Sequence, residues 1–163
     1  MSDTTLSPVD QQVLYILPLA IPLFFVLIWT GVTTLLGFLS GWFSLMQQFP
    51  DRDEKPIVQL NWQSGFMGKV GVNFRNVLRI GVCSSGLRVG VLRIFGPFAR
   101  DFFVPWHAIT AAKKEFWMWQ VTELSFGKPE VGRLMVYGYT AGQIAETAKG
   151  RPEIAAVFKD FKP

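Results

Sequence analysis

The sequence has very few of the side chains that most enzymes and metal sites use. Cys83 is the only cysteine and His107 is the only histidine among 163 residues. A disulfide framework and a zinc site built from several Cys and His residues are therefore excluded. The chain also has no Gly-x-x-x-x-Gly-Lys-Ser/Thr loop for phosphates and no Gly-x-Ser-x-Gly nucleophile turn. We predict a non-enzymatic protein that binds no cofactor.

Positive charge is missing from the first 50 residues. All 16 lysines and arginines follow residue 50, whereas Asp3 and Asp10 make the N-terminal part acidic. The basic excess after residue 50 favours anionic surfaces such as phospholipid headgroups, although a solvated basic face without a partner is at least as common. We expect no nucleic-acid partner.

Formal charge is absent from the whole segment Val13–Leu39. At about 1.5 Å per residue, a helix of this length exceeds the roughly 30 Å hydrocarbon core of a bilayer. A cleaved signal peptide fits poorly, because no basic residue precedes the apolar segment and no Ala-x-Ala-like site follows it. The basic residues nearest its ends, Arg52 and Lys55, follow the span. The prediction is a retained single-pass helix in the cytoplasmic (inner) membrane, with the N-terminus outside and the C-terminal domain in the cytoplasm.

Two patterns at the end of this span predict contacts. Thr33, Gly37 and Gly41 are spaced by four residues and form a small-residue stripe that would let another helix approach closely. Trp42, Leu45 and Phe49 follow at helical spacing, which is typical of a short helix lying at the membrane interface. The charged stretch 50–56 then predicts a linker.

Short alternating runs after residue 56 predict antiparallel strands. The runs are Ile57–Trp62, Lys69–Phe74, Val77–Cys83, Leu87–Phe95, Phe102–Trp106, Ile109–Lys114, Phe116–Phe126 and Arg133–Tyr137. Thr140 and Gln143 have the spacing of a capping box, and a short helix ending near Gly150 would follow.

The order of these elements is that of a PH-like split barrel, and a motif adds a resemblance. The segment Ser84-Ser85-Gly86-Leu87, then a loop and Phe103–Ile109, resembles the "GL…(I/V)PW-x-x-I" signature of bacterial membrane-anchored PH-like or GRAM-like proteins. The resemblance covers about residues 37–140. It implies one membrane helix followed by a small barrel, in a family where many members have no assigned activity.

The predicted fold class is therefore mainly β (α+β): a transmembrane helix, then a PH-like split barrel of six or seven antiparallel strands with a C-terminal helix. The predicted segments are an extracytoplasmic tail (1–12), the transmembrane helix (13–40), an interfacial helix and linker (41–56), the β domain (57–150) and a C-terminal tail (151–163).

Two further sets of side chains are candidate binding residues. Trp117 and Trp119 alternate with Met118, so at least one large ring is expected on the surface, as a protein contact or a membrane-facing patch. A basic mouth at one end of the barrel is predicted from Lys69, Arg75, Arg79, Lys113 and Lys114.

Two functions fit these predictions. The first is an accessory or scaffold subunit of a larger membrane complex, whose helix packs laterally and whose domain contacts partner integral membrane subunits. The alternative is a membrane-anchored module that binds anionic phospholipid headgroups. The partner, the pathway and the choice between a homo-oligomer and a hetero-complex stay open.

Overall fold

A long apolar helix begins the described part of the chain. The computed structural model describes residues 8–116, 119–147 and 151–158. The helices are α1 (Pro8–Leu39), α2 (Trp42–Gln48), α3 (Gly138–Thr147) and α4 (Pro152–Val157). The strands are β1 (Val58–Met67), β2 (Val72–Val82), β3 (Gly86–Val91), β4 (Phe102–Pro105), β5 (Ile109–Phe116), β6 (Trp119–Phe126) and β7 (Gly132–Tyr137). Short 3-10 turns occupy Arg93–Phe95 and Trp106–Ala108.

Helix α1 has the length and composition of a membrane span. Within the described residues, Ile16–Leu39 is the one stretch long and apolar enough to cross a bilayer, with a mean hydropathy of 2.2. Its large apolar side chains from Ile16 onward are exposed, as they would be in lipid. Pro18 and Pro22 lie inside the helix, near its N-terminal half.

The seven strands form one curled antiparallel sheet, a half-barrel, in the order β4-β3-β2-β1-β7-β6-β5. Strands β1 to β4 pair in succession, and so do β5 to β7, while β7 pairs with β1. The predicted α+β class, with an apolar N-terminal helix, a seven-stranded antiparallel sheet and a C-terminal helix, is confirmed.

The core of the domain includes residues from outside the strands. The rings of Trp42, Phe102 and Phe126 pack in series, with centroids 5.1 Å apart between the first two and 6.0 Å apart between the last two. The indole of Trp42 donates to the carbonyl of Arg100 at 2.9 Å. Trp106 and Ile109 are also buried.

The C-terminal region differs in detail from the prediction. Helix α3 begins at Gly138, so Thr140 lies inside it and donates to Oε1 of Gln63 at 2.7 Å instead of capping the helix. Residues 151–163 were expected to be a tail, yet α4 lies within them. Ile154 and Phe158 are buried there, and α4 contacts the 106–108 turn and β5.

Candidate functional site

The second half of α1 lies against the domain, and this junction is the candidate functional site. The indole Nε1 of Trp29 donates to the carbonyl of Ile94, in the loop between β3 and β4, at 2.9 Å. The ring of Trp29 also packs on Phe95, with centroids 5.9 Å apart. Contacts of this kind fix the domain beside the helix, so the two form one continuous surface.

A groove of about 260 Å³ separates α1 from the domain. Val32 and Leu36 of α1 line one side, and Phe74 of β2 and Phe95 of the loop line the other. Thr33 and Gly37 also line the groove. Its walls are mainly apolar, which suits an apolar side chain or an acyl chain.

The structure gives each member of the small-residue stripe a local role. Gly37 is buried, and a Cβ there would lie 2.8 Å from the Phe43 ring, so the glycine admits α2 against α1. Gly41 has φ +73° and forms the turn into α2. Thr33 donates from its hydroxyl to the Trp29 carbonyl at 2.9 Å. Thr33 and Gly37 therefore face the junction with this chain's own domain.

Helix α2 was predicted to lie at the membrane interface, but it is part of the core of the domain. Trp42 and Leu45 are fully buried in the domain, and Phe49 is partly buried against its core. Leu45 reaches β7, because a Cβ on Gly132 would lie 2.8 Å from its side chain. Side chains buried in the domain cannot contact lipid headgroups, so the expected interfacial role of Trp42 and Leu45 is wrong for the folded protein.

The tryptophan pair expected to form a partner surface lies at the edge of what the structure describes. Trp117 is outside the described residues. Trp119 begins β6, and its backbone pairs with Phe116 of β5.

The five basic residues expected to form one mouth are spread over the sheet. Lys69 is exposed in the β1–β2 turn, next to Gly68. A Cβ added to Gly68 would lie 2.6 Å from the Ser40 carbonyl oxygen, so this turn lies against the end of α1. Arg75 and Arg79 are on β2, whereas Lys113 and Lys114 are on β5, and three strands separate β2 from β5 in the sheet.

Two of these basic residues are engaged in ion pairs. Arg79 bonds Asp101 at 3.1 Å. Lys114 bonds the buried carboxylate of Glu123 at 2.8 Å. Lys69 and Arg75 are exposed, and Arg75 also lines the groove beside α1.

The stretch after α2 was predicted as a linker, and it is held to the domain along its length. Asp51 bonds Arg88 at 2.7 Å, and the guanidinium of Arg52 lies 5.5 Å from the centre of the Phe103 ring. Glu54 accepts hydrogen bonds from both side chains of the Ser84-Ser85 turn and from the Ser85 amide at 3.1 Å. These hydrogen bonds, that of Ser84 first, lower the pKa of Glu54 to about 2.

The lone thiol is a buried structural group. Cys83 is fully buried, and burial raises its pKa. Raising the pKa keeps the thiol protonated, so it is a poor nucleophile. Within the described residues there is no group of three or more His, Cys, Asp or Glu side chains that could hold a metal ion.

Sequence reasoning missed the apolar side chains of the β3–β4 loop. Ile94, Phe95 and Phe98 are exposed there, and the first two contact Trp29 of α1. Their signal in the sequence was a pair of aromatic rings around Gly96-Pro97, where a turn would usually be polar. The prediction extended β3 to Phe95 and so assigned two of them to a strand.

Comparison of the chain with protein-family models, with curated proteins and with solved structures finds no match.

Proposed function

We propose that the protein is a single-pass component of the cytoplasmic membrane, with its N-terminus outside and its domain in the cytoplasm. In this proposal it acts as a non-enzymatic accessory or scaffold subunit of a larger integral membrane complex. A partner subunit would pack laterally on α1 and contact the domain at the same time. The PH-like or GRAM-like resemblance is compatible with this role.

The observation that carries the proposal is the groove at the junction of α1 and the domain. Its walls come from both sides of the junction, with Leu36 from the helix and Phe74 from the sheet. A protein that must recognise a neighbour both inside and outside the bilayer needs its two contact regions held in one fixed arrangement. The Trp29–Ile94 hydrogen bond supplies that rigidity, together with the contacts of Asp51 and Glu54 that hold the predicted linker to the domain.

The test is extraction of the tagged native protein in mild detergent, followed by native gel separation and mass spectrometry of the proteins that co-migrate. Thr33→Phe would fill the groove, whereas Leu35→Phe adds a ring on an exposed side of α1 that does not line it. We expect a stoichiometric larger complex with the native chain and with Leu35→Phe, and its loss with Thr33→Phe. Migration as a monomer in several detergents would contradict the accessory role.

A second candidate function is the binding of anionic phospholipid headgroups. It is supported by the exposed Lys69, next to Gly68 at the end of α1, and by the exposed Arg75, which lines the groove beside α1. In nanodiscs, the native full chain should then unfold at a higher temperature with anionic lipid than with neutral lipid, and salt should remove the difference. Equal unfolding temperatures in both lipids, at low salt, would count against this candidate.

A further inference from the structure

The loop between β3 and β4 is apolar where surface loops are usually polar. We call residues 93–98 the tip. Three large apolar side chains of the tip are solvent-exposed: Ile94 by 68%, Phe95 by 42% and Phe98 by 57%. Contiguous exposed apolar side chains of this size mark a contact with another apolar phase or surface.

The position of the tip along α1 indicates which phase that is. The carbonyl of Ile94 accepts its hydrogen bond from Trp29, and Trp29 lies inside the span Ile16–Leu39. Trp29 precedes Leu39 by almost three helical turns, or about 15 Å along the axis. If α1 crosses the bilayer, the tip lies beside a part of the helix well within its apolar stretch.

Several backbone groups of the tip are already paired, which matters in an apolar medium because an unpaired carbonyl or amide there costs several kcal/mol. Internal hydrogen bonds run from the Phe95 amide to Leu92, from Gly96 to Arg93 and from Ala99 to Gly96. The indole of Trp29 pairs with the carbonyl of Ile94, and Pro97 has no amide hydrogen to satisfy.

Cations flank the apolar side chains on both sides. Arg93 opens the tip and Arg100 follows it, and both are exposed. Arginines at such positions lay their apolar stems along the acyl region and place the guanidinium among headgroup phosphates. Apolar side chains between two arginines form the pattern of a segment that dips below the headgroups.

We propose that the tip inserts Ile94, Phe95 and Phe98 into the acyl-chain region of the bilayer beside α1. The protein would then be attached to the membrane in two ways, through a spanning helix and through a loop that enters one leaflet. Lipid is the occupant because the neighbouring side chains of α1, such as Phe25 and Val32, are exposed to the same surroundings. The inference rests on α1 crossing the bilayer, and it needs no partner subunit.

The test measures the depth of single labels in the full chain, purified and reconstituted into phosphatidylcholine–phosphatidylglycerol vesicles. Cys83→Ala provides a background without native thiols. Ile94→Cys and Phe98→Cys carry an environment-sensitive fluorophore, and two positions keep the test valid if one replacement disturbs folding. Leu27→Cys and Phe38→Cys mark depths along α1, and Tyr139→Cys marks an exposed site on α3.

Nitroxides on lipid acyl chains should quench the labels at 94 and 98 several-fold more than the label at 139. Aqueous iodide should show the reverse order. The depth found for 94 should fall between those of 27 and 38. Iodide quenching at 94 and 98 as strong as at 139, with the label at 27 still quenched by lipid, would overturn the insertion. A label at 27 that lipid nitroxides do not quench would overturn the span and this inference together.

Discussion

Trp42 shows how one side chain joins the end of α1 to the domain. Its ring contacts Phe74 and Phe102 in the core, although it follows the apolar helix by only three residues. Trp42→Ala should lower the free energy of unfolding by about 3–5 kcal/mol, because it leaves a large cavity and removes a hydrogen-bond donor. Circular dichroism during chemical unfolding in detergent would measure the loss.

The matched control is Trp62→Ala, since Trp62 is 66% exposed. Its effect should stay within about 0.5 kcal/mol. Equal losses at positions 42 and 62 would contradict the burial of Trp42.

Glu54 makes the stability of the domain depend on pH. Its pKa is about 2 in the folded protein and 4.5 in the reference state, so the unfolded chain binds the proton more readily. The hydrogen bonds of ionised Glu54 with Ser84 and Ser85 therefore stabilise the domain fully above pH 4.5, and their contribution is lost as the pH falls towards 2. Melting temperatures of Glu54→Gln should lie below those of the native chain at pH 7, and the difference should shrink on acidification.

The exposed neighbour Asp53 provides the control for the Glu54 prediction. Asp53→Asn should follow the native pH profile closely. A Glu54→Gln deficit that stays constant from pH 7 to pH 3 would show that the charge of Glu54 is not the source of the effect.

At the scale of elements, the turn between α1 and α2 sets the direction of the chain into the domain. Gly41 has φ +73°, and an added Cβ would meet no atom within 4 Å, so only backbone strain opposes a side chain. Gly41→Ala should cost about 1–2 kcal/mol of stability.

Gly31 is the natural control, because it lies within α1 and a Cβ there also has free space. Gly31→Ala should cause no loss of stability, as measured by thermal unfolding in the same detergent. A Gly41→Ala chain as stable as Gly31→Ala would mean that the turn relaxes without strain.

The sequence predicted most strands and erred where turn chemistry was unusual. Alternation identified β1, β4, β5 and β7, and the Ser84-Ser85-Gly86 turn separates β2 from β3 as expected. Two runs, Lys69–Phe74 and Val77–Cys83, proved to be one strand, β2, which has an irregularity at Asn76 with φ +54°. Phe116–Phe126 was predicted as a single strand, yet β5 ends and β6 begins within it. Phe116 and Trp119, where β5 ends and β6 begins, are aromatic and gave no turn signal.

The candidate site was less accessible to sequence reasoning, for a physical reason. Trp42, Leu45 and Phe49 share a helical face, and that spacing is the same for a helix on a membrane and a helix in a core. Only the folded sheet shows which apolar surface the face meets. The groove combines residues distant in sequence, and the contact between α1 and the tip joins Trp29 to Ile94, so no local pattern could bring them together.

At the scale of the molecule, the contacts that hold residues 51–54 to the domain predict that a protease separates α1 from the domain only slowly. Trypsin should cleave slowly between Arg52 and Asp53, because the linker is held by Asp51–Arg88 and by Glu54 on the Ser84-Ser85 turn. Asp51→Asn should raise the cleavage rate several-fold, since local opening admits the protease. Gel electrophoresis with mass spectrometry of the fragments would follow the reaction.

Asp53→Asn serves as the comparison for the trypsin experiment as well, although it alters the residue after the scissile bond. Its rate should remain nearer to that of the native chain than to that of Asp51→Asn. Rapid cleavage of the native chain after Arg52, with release of a folded domain, would contradict a pinned linker.

The burial of α2 also has a consequence for the order of events on the ribosome. Trp42 and Leu45 emerge directly behind the apolar helix α1, long before Phe102 and Gly132, the residues that cover them in the folded protein. If α1 crosses the bilayer, the surface of the bilayer is the nearest apolar surface for these side chains until β4 and β7 are synthesised. The nascent chain would therefore keep α2 at the membrane and complete its fold there. Translation of β7 would be the step that moves α2 from the lipid into the core of the domain.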